Sequence, residues 1–428
     1  MSRRPRHLAP RHLAHPPWEF RQGRADRDTS AAAEVTALTR RGLLGASAAL
    51  AGAALLAGCG GSAGPPAAGD GSTLRSTYVD PQGTGVLSVG PGEPLLARTV
   101  LAPAAPATGT LATLAHLTDA HVLDAQSPAR VPFLDRLGAP FTSTFRPQEA
   151  LTAQVLAGAI AAVDALGPDL VVQGGDLIDN AQANELTQAL AVLRGGRVGP
   201  SSGDGRYVGV QEASDPDPFY YRPDVDSPRH PGLLAAAQRV FASRGLEAMT
   251  LPVLGDHDLL VAGVLAPDAL TEQIAVGSRA VWDLPRGLPT RLSATAAGPD
   301  GLNDPAAIEG LITVLLSAPG VTVPAYASRR ELDAAEVLSM LRPGSGPLLD
   351  YALDVGDALR VIVLDLVRRG GGSGGLVHPG QPAWLAAQLA GAGDRWVLVF
   401  SHQPLDSSAD GPALLSVLDR SPRVLAAV

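Results

Sequence analysis

The chain has 428 residues, of which 46% are hydrophobic and 18% charged; that is ample for a large core and excludes an intrinsically disordered protein. Thirty-three basic against 42 acidic residues leave a net charge of −9, so no nucleic-acid binding is expected, since that needs clustered cations. Every basic residue is arginine and the only cysteine is Cys59, which excludes lysine-dependent phosphate-loop, kinase and Schiff-base chemistry, internal disulfides, Cys-rich zinc sites and iron–sulfur clusters.

The first segment reads as an address. Residues 1–41 carry nine arginines, and Arg40-Arg41 opens a run of 17 uncharged residues from Gly42 to Gly58. A basic region, a modest apolar region and small residues at its end predict an export signal over 1–58. The paired arginines resemble a twin-arginine signal, a route that carries folded cargo, and Leu56-Ala57-Gly58-Cys59 resembles a bacterial lipobox. Cys59 is then the expected lipidation site, which places the mature chain on the outer face of the cytoplasmic membrane or in the cell envelope, held by a lipid anchor alone.

Residues 59–109 read as a tether and lead-in, Gly/Ser/Pro/Ala-rich to about residue 75 and Pro/Gly-punctuated beyond. From residue 110 strands and helices alternate. Strands are predicted over 111–117, 169–173, 249–254, 351–355, 359–366 and 396–400. Helices are predicted over 148–166, 184–193, 233–243 and 381–389, with a helix-like stretch from 411 that runs into a strand near 423–428. The alternation indicates an α/β domain over 110–428. Two stretches interrupt it, near 195–232 and 286–347. The first holds Tyr207, Phe219, Tyr220 and Tyr221, four of the chain's 17 aromatics. They form either a loop packing its own rings or a wall of the substrate pocket.

Four polar clusters each follow a predicted strand: Asp119-Ala120-His121; Gly174-Gly175-Asp176 with Asp179-Asn180; Gly255-Asp256-His257-Asp258; and Ser401-His402. Carboxyl ends of parallel strands lie on one sheet edge, so clusters far apart in sequence converge there. Asp and His together suit Mn, Fe or Zn. Asp119 and His121 can reach one ion, a carboxylate such as Asp176 can bridge two, and the preceding glycines permit tight turns and close backbone approach.

This series resembles the calcineurin-like metallophosphoesterases, whose motifs run Asp-x-His, Gly-Asp-x-x-Asp/Asn, Gly-Asn-His-Asp/Glu, a later His and a final Gly-His-x-His. Ser127-Pro128-Ala129-Arg130 and Arg146-Pro147-Gln148-Glu149 also look like a secreted bacterial subgroup. The resemblance implies an α/β sandwich of two β-sheets flanked by helices, and hydrolysis of a small phosphate ester, monoester or diester, at two divalent metal ions. It implies that Asp119 and His121 hold one ion, that Asp176 bridges, and that Asp256 and His402 hold the other. It further implies that His257 acts as general acid or charge stabiliser oriented by Asp258, with Asp179 and Asn180 behind the ligands. No phospho-enzyme and no lysine is required.

The series departs from the family twice. Position 256 is Asp where the family has Asn; the added charge should tighten one ion and blunt its Lewis acidity. No histidine follows His402, so Gly-His-x-His is absent. The expectation is a C-terminally incomplete member of the fold; the alternative is a catalytically impaired, lipid-tethered binding protein. A serine hydrolase is disfavoured, because Gly372-Ser373-Gly374 has no strand leading into it.

Overall fold

A computed structural model describes residues 73–428 apart from 85, 95–108, 138–143, 147–148, 216, 218, 282, 284–309, 311, 313 and 315. The segment read as an export signal and Cys59 lie outside the described residues. Among the described residues, no helix is long and apolar enough to cross a membrane.

The predicted lead-in contains an antiparallel pair, β1 (Ser76–Val79) with β2 (Ser88–Pro91). Besides a further antiparallel pair, β8 (Arg279–Val281) with β9 (Gly320–Thr322), and the helices α4 (Ala269–Ala275) and α5 (Ala334–Leu341), the described residues form two larger sheets. The first is fully parallel, in the order β3 (Leu114–Leu117), β4 (Leu170–Gln173), β7 (Met249–Pro252). The second runs β10 (Tyr351–Val355), β11 (Leu359–Val363), β12 (Trp396–Phe400), β13 (Val424–Ala427); β10 is antiparallel to β11 and the rest are parallel. The strand read near the end of the chain is therefore the last member of that sheet.

Strand alternation decides what each face meets. Val361 and Val363 of β11, with Leu398 and Phe400 of β12, enter one core with Leu170, Val172 and Leu251 of the first sheet. On the opposite face, Ile362, Val397 and Val399 pack with Leu385 of α6 (Gln381–Ala390) and Leu414, Leu415 and Leu418 of α7 (Gly411–Leu418). The Tyr351 hydroxyl donates to the Pro252 carbonyl at 2.7 Å and pins one sheet to the other. The shared core also takes Leu156 and Ile160 of α1 (Thr152–Asp164) and Leu186, Ala189 and Val192 of α2 (Ala183–Arg194). The molecule is thus the expected mixed α/β arrangement of two sheets with flanking helices. Each large apolar side chain buried this way contributes about 1.5–3 kcal/mol.

Several boundaries differ from the sequence reading. The helix predicted over 233–243 ends at Ala237 (α3, Leu233–Ala237), and Phe241–Ser243 becomes β6, antiparallel to β5 (Gly196–Val198). Residues 233–243 are apolar enough for either state, and the tertiary partner at 196–198 decides. The first core strand starts at Leu114 rather than Leu111, which is exposed.

A buried ion pair ties three loops together. Arg329 and Asp124 are both fully buried, with Arg329 Nε 2.9 Å from Asp124 Oδ2. Arg329 also donates to Ser202 Oγ, at 2.8 Å, and to the Pro324 carbonyl, at 3.1 Å. Asp124 accepts from Asn184 Nδ2 at 3.0 Å. Removing one member leaves the other charge buried and unpaired. Arg329→Met is expected to destabilise the chain by on the order of 3–5 kcal/mol in urea unfolding, and Arg329→Met/Asp124→Leu by less than the two single variants summed. An additive double variant would contradict the pairing.

Candidate metal centre

The loops that follow β3 and β4 continue the ladder beyond the strands. The backbone N–H groups of Asp119, His121 and Val122 donate to the carbonyls of Gly175, Asp176 and Leu177, at 3.1, 3.0 and 2.9 Å. This register sets Asp119 and His121 beside Asp176. All three adopt the left-handed backbone region, with φ of 56°, 44° and 48°. Such conformations are costly for residues with a Cβ and persist where the surroundings enforce them, commonly at functional sites.

Two groups of side chains here could each hold a metal ion: His121, Asp176 and His257, and Asp119, Asp176 and His402, each with ligand atoms within 4.8 Å of one another. Asp176 belongs to both. Its Oδ2 lies 3.5 Å from His121 Nε2 and 3.3 Å from His402 Nε2. His402 Nε2 lies 3.4 Å from Asp256 Oδ1, and His121 Nε2 3.7 Å from Asp119 Oδ1. These separations are long for hydrogen bonds, yet close to the spacing of two ligands that each stand about 2.1 Å from one ion. The donor set, with its mixed imidazole and carboxylate character, fits divalent Mn, Fe or Zn.

The five residues expected to ligate therefore meet around Asp176, drawn from both sheets. His257 stands closer to them than a residue lying over the substrate needs to, since it shares a group with His121 and Asp176.

Outer contacts fix the rings. His402 Nδ1 donates to the Gly174 carbonyl at 2.9 Å, and His257 Nδ1 to the Asp179 carbonyl at 2.8 Å. A carbonyl only accepts, so each proton sits on Nδ1 and leaves Nε2 for other work. His121 Nδ1 faces Asp179 Oδ1 at 3.2 Å, and Arg146 anchors the same oxygen at 2.8 Å. Asn180 donates to Asp179 Oδ2 at 3.1 Å.

Asp258 does something other than orient His257. Its Oδ1 accepts from the backbone N–H groups of Leu177 and Ile178 at 2.8 and 3.2 Å, and its Oδ2 from Gly255 at 2.9 Å. It thus clamps the loop of Asp176 to the loop of Asp256, and the Asp179 carbonyl orients His257 instead. Burial, then the charge of Asp176, raises the Asp258 pKa to about 7.

Space at the centre is reserved by glycine. A Cβ on Gly255 would stand 2.1 Å from Asp176 Oδ1, and one on Gly175 2.5 Å from His402 Nδ1. A Cβ on Gly263 would stand 2.4 Å from His257 Nε2, so this glycine, which the sequence reading missed, keeps that edge of the ring open.

Of the loop's four aromatics, Tyr207 and Tyr220 are buried and Phe219 is exposed. Tyr207 is buried with Leu123 and Leu234, and Tyr220 with Phe133, Leu134 and Val210, its hydroxyl donating to the Pro132 carbonyl at 3.2 Å. Phe219 packs edge-on to Tyr220, and the Tyr221 hydroxyl donates to the Pro228 carbonyl. The loop packs its own rings. A cavity of about 360 Å³ that shares a loop with the centre is lined by Ala129, Phe133, Val261, Leu265 and Ile274.

Other contributors carried no distinctive signal in the sequence. Glu185, fully buried in the first turn of α2, accepts from the N–H groups of Asp124 and Asn180 at 3.0 and 2.9 Å and holds both loops from below. Arg130 pairs with Glu149, which joins the two segments that looked like the secreted subgroup.

No family model matches the chain, and no curated protein matches it significantly. Among solved structures, a dimetal phosphatase from Danio rerio is similar over 74% of this chain and 80% of its own, at 14% identity and a TM-score of 0.35. So loose a likeness carries no weight; the site geometry does.

Burial alone would lower the His121 pKa, but the carboxylates of Asp119 and Asp179 raise it to about 9. Burial is likewise overcome at His402, where Asp176 and Asp256 raise it to about 12. Protein stripped of metal therefore carries both rings as imidazolium at neutral pH. Their contribution to its stability is present below the unfolded value near 6.5, and that of His121 is lost as pH rises through about 9. Metal uptake must expel these protons, so affinity should move the opposite way, rising up to about tenfold per pH unit for each proton released. Chelator competition at pH 6, 7 and 8 measures this; affinity independent of pH would contradict it. Gly255→Ala should forfeit metal binding and cost on the order of 1–3 kcal/mol in stability, read by metal content and thermal melting.

Proposed function

We propose that this chain is a dinuclear-metal hydrolase of phosphate esters, exported and lipid-anchored. The observation that supports the chemistry best is the buried carboxylate of Asp176, shared by two ligand-capable groups at the carboxyl ends of parallel strands. Such an edge is where open α/β sheets bind ligands.

Divalent ions, if held there by Asp119, His121, Asp176, Asp256 and His402, would supply Lewis acidity toward a phosphoryl oxygen and toward water. The protein's own contributions follow from the geometry. Asp119, Asp176 and Asp256 together repel a phosphate ester, so substrate approach depends on their charge being balanced. Asp119, with its side chain half exposed, marks the solvent side of the centre, while Asp176 closes the floor. Thr118 Oγ1 donates to Asp119 Oδ2 at 2.6 Å and fixes that outer carboxylate. His257 keeps its Nδ1 proton on the Asp179 carbonyl, so its Nε2 lone pair would join His121 and Asp176 at an ion or, after taking up a proton from water, pass that proton to the leaving oxygen.

The domain over 110–428 would carry this activity. Residues 59–109 would space it from a membrane to which acylated Cys59 attaches it, after export directed by residues 1–58. The substrate would be a small ester; nucleic acid is not expected as a partner.

Purified protein should contain close to two metal ions per chain by elemental analysis. It should hydrolyse an aryl phosphate monoester or a bis-aryl diester with added Mn, and Asp176→Ala should lower turnover at least about a hundredfold. Absence of both metal and hydrolysis would refute the proposal. Two bound ions without turnover would favour the tethered binding protein, and would point to the extra charge of Asp256. Separately, Cys59→Ala should move the protein from the membrane to the soluble fraction; unchanged fractionation would refute the anchor.

A further inference from the structure

We infer that Gln403 is a positioning residue for Asp256 and, through it, for the ion beside His402; the inference rests on the two-ion reading above. Gln403 follows His402 directly in the loop after β12 and is 4% exposed. Its Nε2 donates to Asp256 Oδ1 at 3.0 Å, the same oxygen that lies 3.4 Å from His402 Nε2. The His402 ring faces this carboxylate at 3.4 Å, and the Gln403 amide makes the shorter contact with it.

The amide can point only one way. With Oε1 toward Asp256, two acceptors would meet; with Nε2 there, Oε1 is left buried and without a partner, as the structure has it. A buried acceptor is left unsatisfied so that an N–H stays on Asp256. The side chain has little freedom to do otherwise. A Cβ on Gly375 would stand 2.8 Å from Gln403 Cβ, and the Ser401 hydroxyl donates to the Gln403 carbonyl at 3.0 Å.

A carboxylate turns about its own bond and offers two oxygens. The ions need one oxygen in one place, and an outer-shell donor that fixes it commonly changes metal affinity 10–100-fold. Asp119 has Thr118 for this, and Asp176 receives the His257 backbone N–H at 3.0 Å. Gln403 gives Asp256 the equivalent hold. Its effect is confined to one ion, because Asp256 is 3.4 Å from His402 whereas His121 and His257 meet on the other side of Asp176.

The test is a Mn titration of full-length chain stripped of metal, followed by electron paramagnetic resonance, which separates an isolated ion from a spin-coupled pair. The wild type should fill two positions and develop the coupled signal. Gln403→Met should take the first ion with wild-type affinity and the second about 10–100-fold more weakly. Gln403→Leu, a second apolar replacement that cannot donate, should show the same one-ion loss. Both stripped variants should still unfold in one cooperative transition, which separates the loss of one ion from a loss of the fold. Wild-type affinity for the second ion in both variants would overturn the inference, as would equal loss of both ions. A wild type that takes up no ion would overturn the two-ion reading itself, a result distinct from these because the variants would then have nothing to lose.

Discussion

An ionised carboxylate in a nearly closed space is the constraint on which the rest depends. Burial opposes the charge of Asp176, but nearby His257, His402 and His121 outweigh it and hold its pKa below the usual carboxylate range. A buried charge must be paired or bound to a cation. The chain answers with imidazoles on two sides and carboxylates beyond them, an arrangement that is costly as a core and coherent as a metal cradle. The left-handed backbone at Asp119, His121 and Asp176 is a further cost of the same kind.

The scaffold supplies what this cradle needs in layers. Two parallel strand ends lie side by side, and the ladder between their loops sets the spacing of Asp119, His121 and Asp176. The second sheet brings His402, and contact across the junction is possible because Gly175 presents bare backbone to its ring while the Gly174 carbonyl accepts from it. Behind the ligands stand carboxylates with divided duties. Asp179 faces His121, Asp258 clamps two loops, and Glu185 supports two more. Each acts at short range, so small errors in one loop are felt at every ligand.

Much of this was legible in the sequence because its signals are local. Asp119-x-His121, Gly175-Asp176 and Asp256-His257 each follow an apolar strand, and strand ends converge by topology alone. The near-continuous apolar runs of β11 and β12 and the apolar faces of α1 and α6 located those elements. What escaped depends on distant partners. Whether residues 241–243 continue a helix or pair as a strand is decided by residues 196–198, more than 40 positions away. The aromatic residues of the 207–221 loop suit a pocket or a private core equally well, and only packing separates the two. Asp258 adjoins His257 in sequence, yet its carboxylate serves backbone groups about 80 residues back. Gln403, Gly263 and the wholly buried Arg329 belong to residue types whose usual place is the surface or a turn. Their roles lie in contacts that spacing cannot show.

The measurement that bears most directly on the shared-carboxylate account is anomalous diffraction at the Mn edge from crystals soaked in Mn. Two peaks about 3.5–4 Å apart are predicted, both within bonding distance of the Asp176 carboxylate, one beside His402 and the other beside His121. A single peak, or a pair that leaves Asp176 without a bond to either ion, would contradict it.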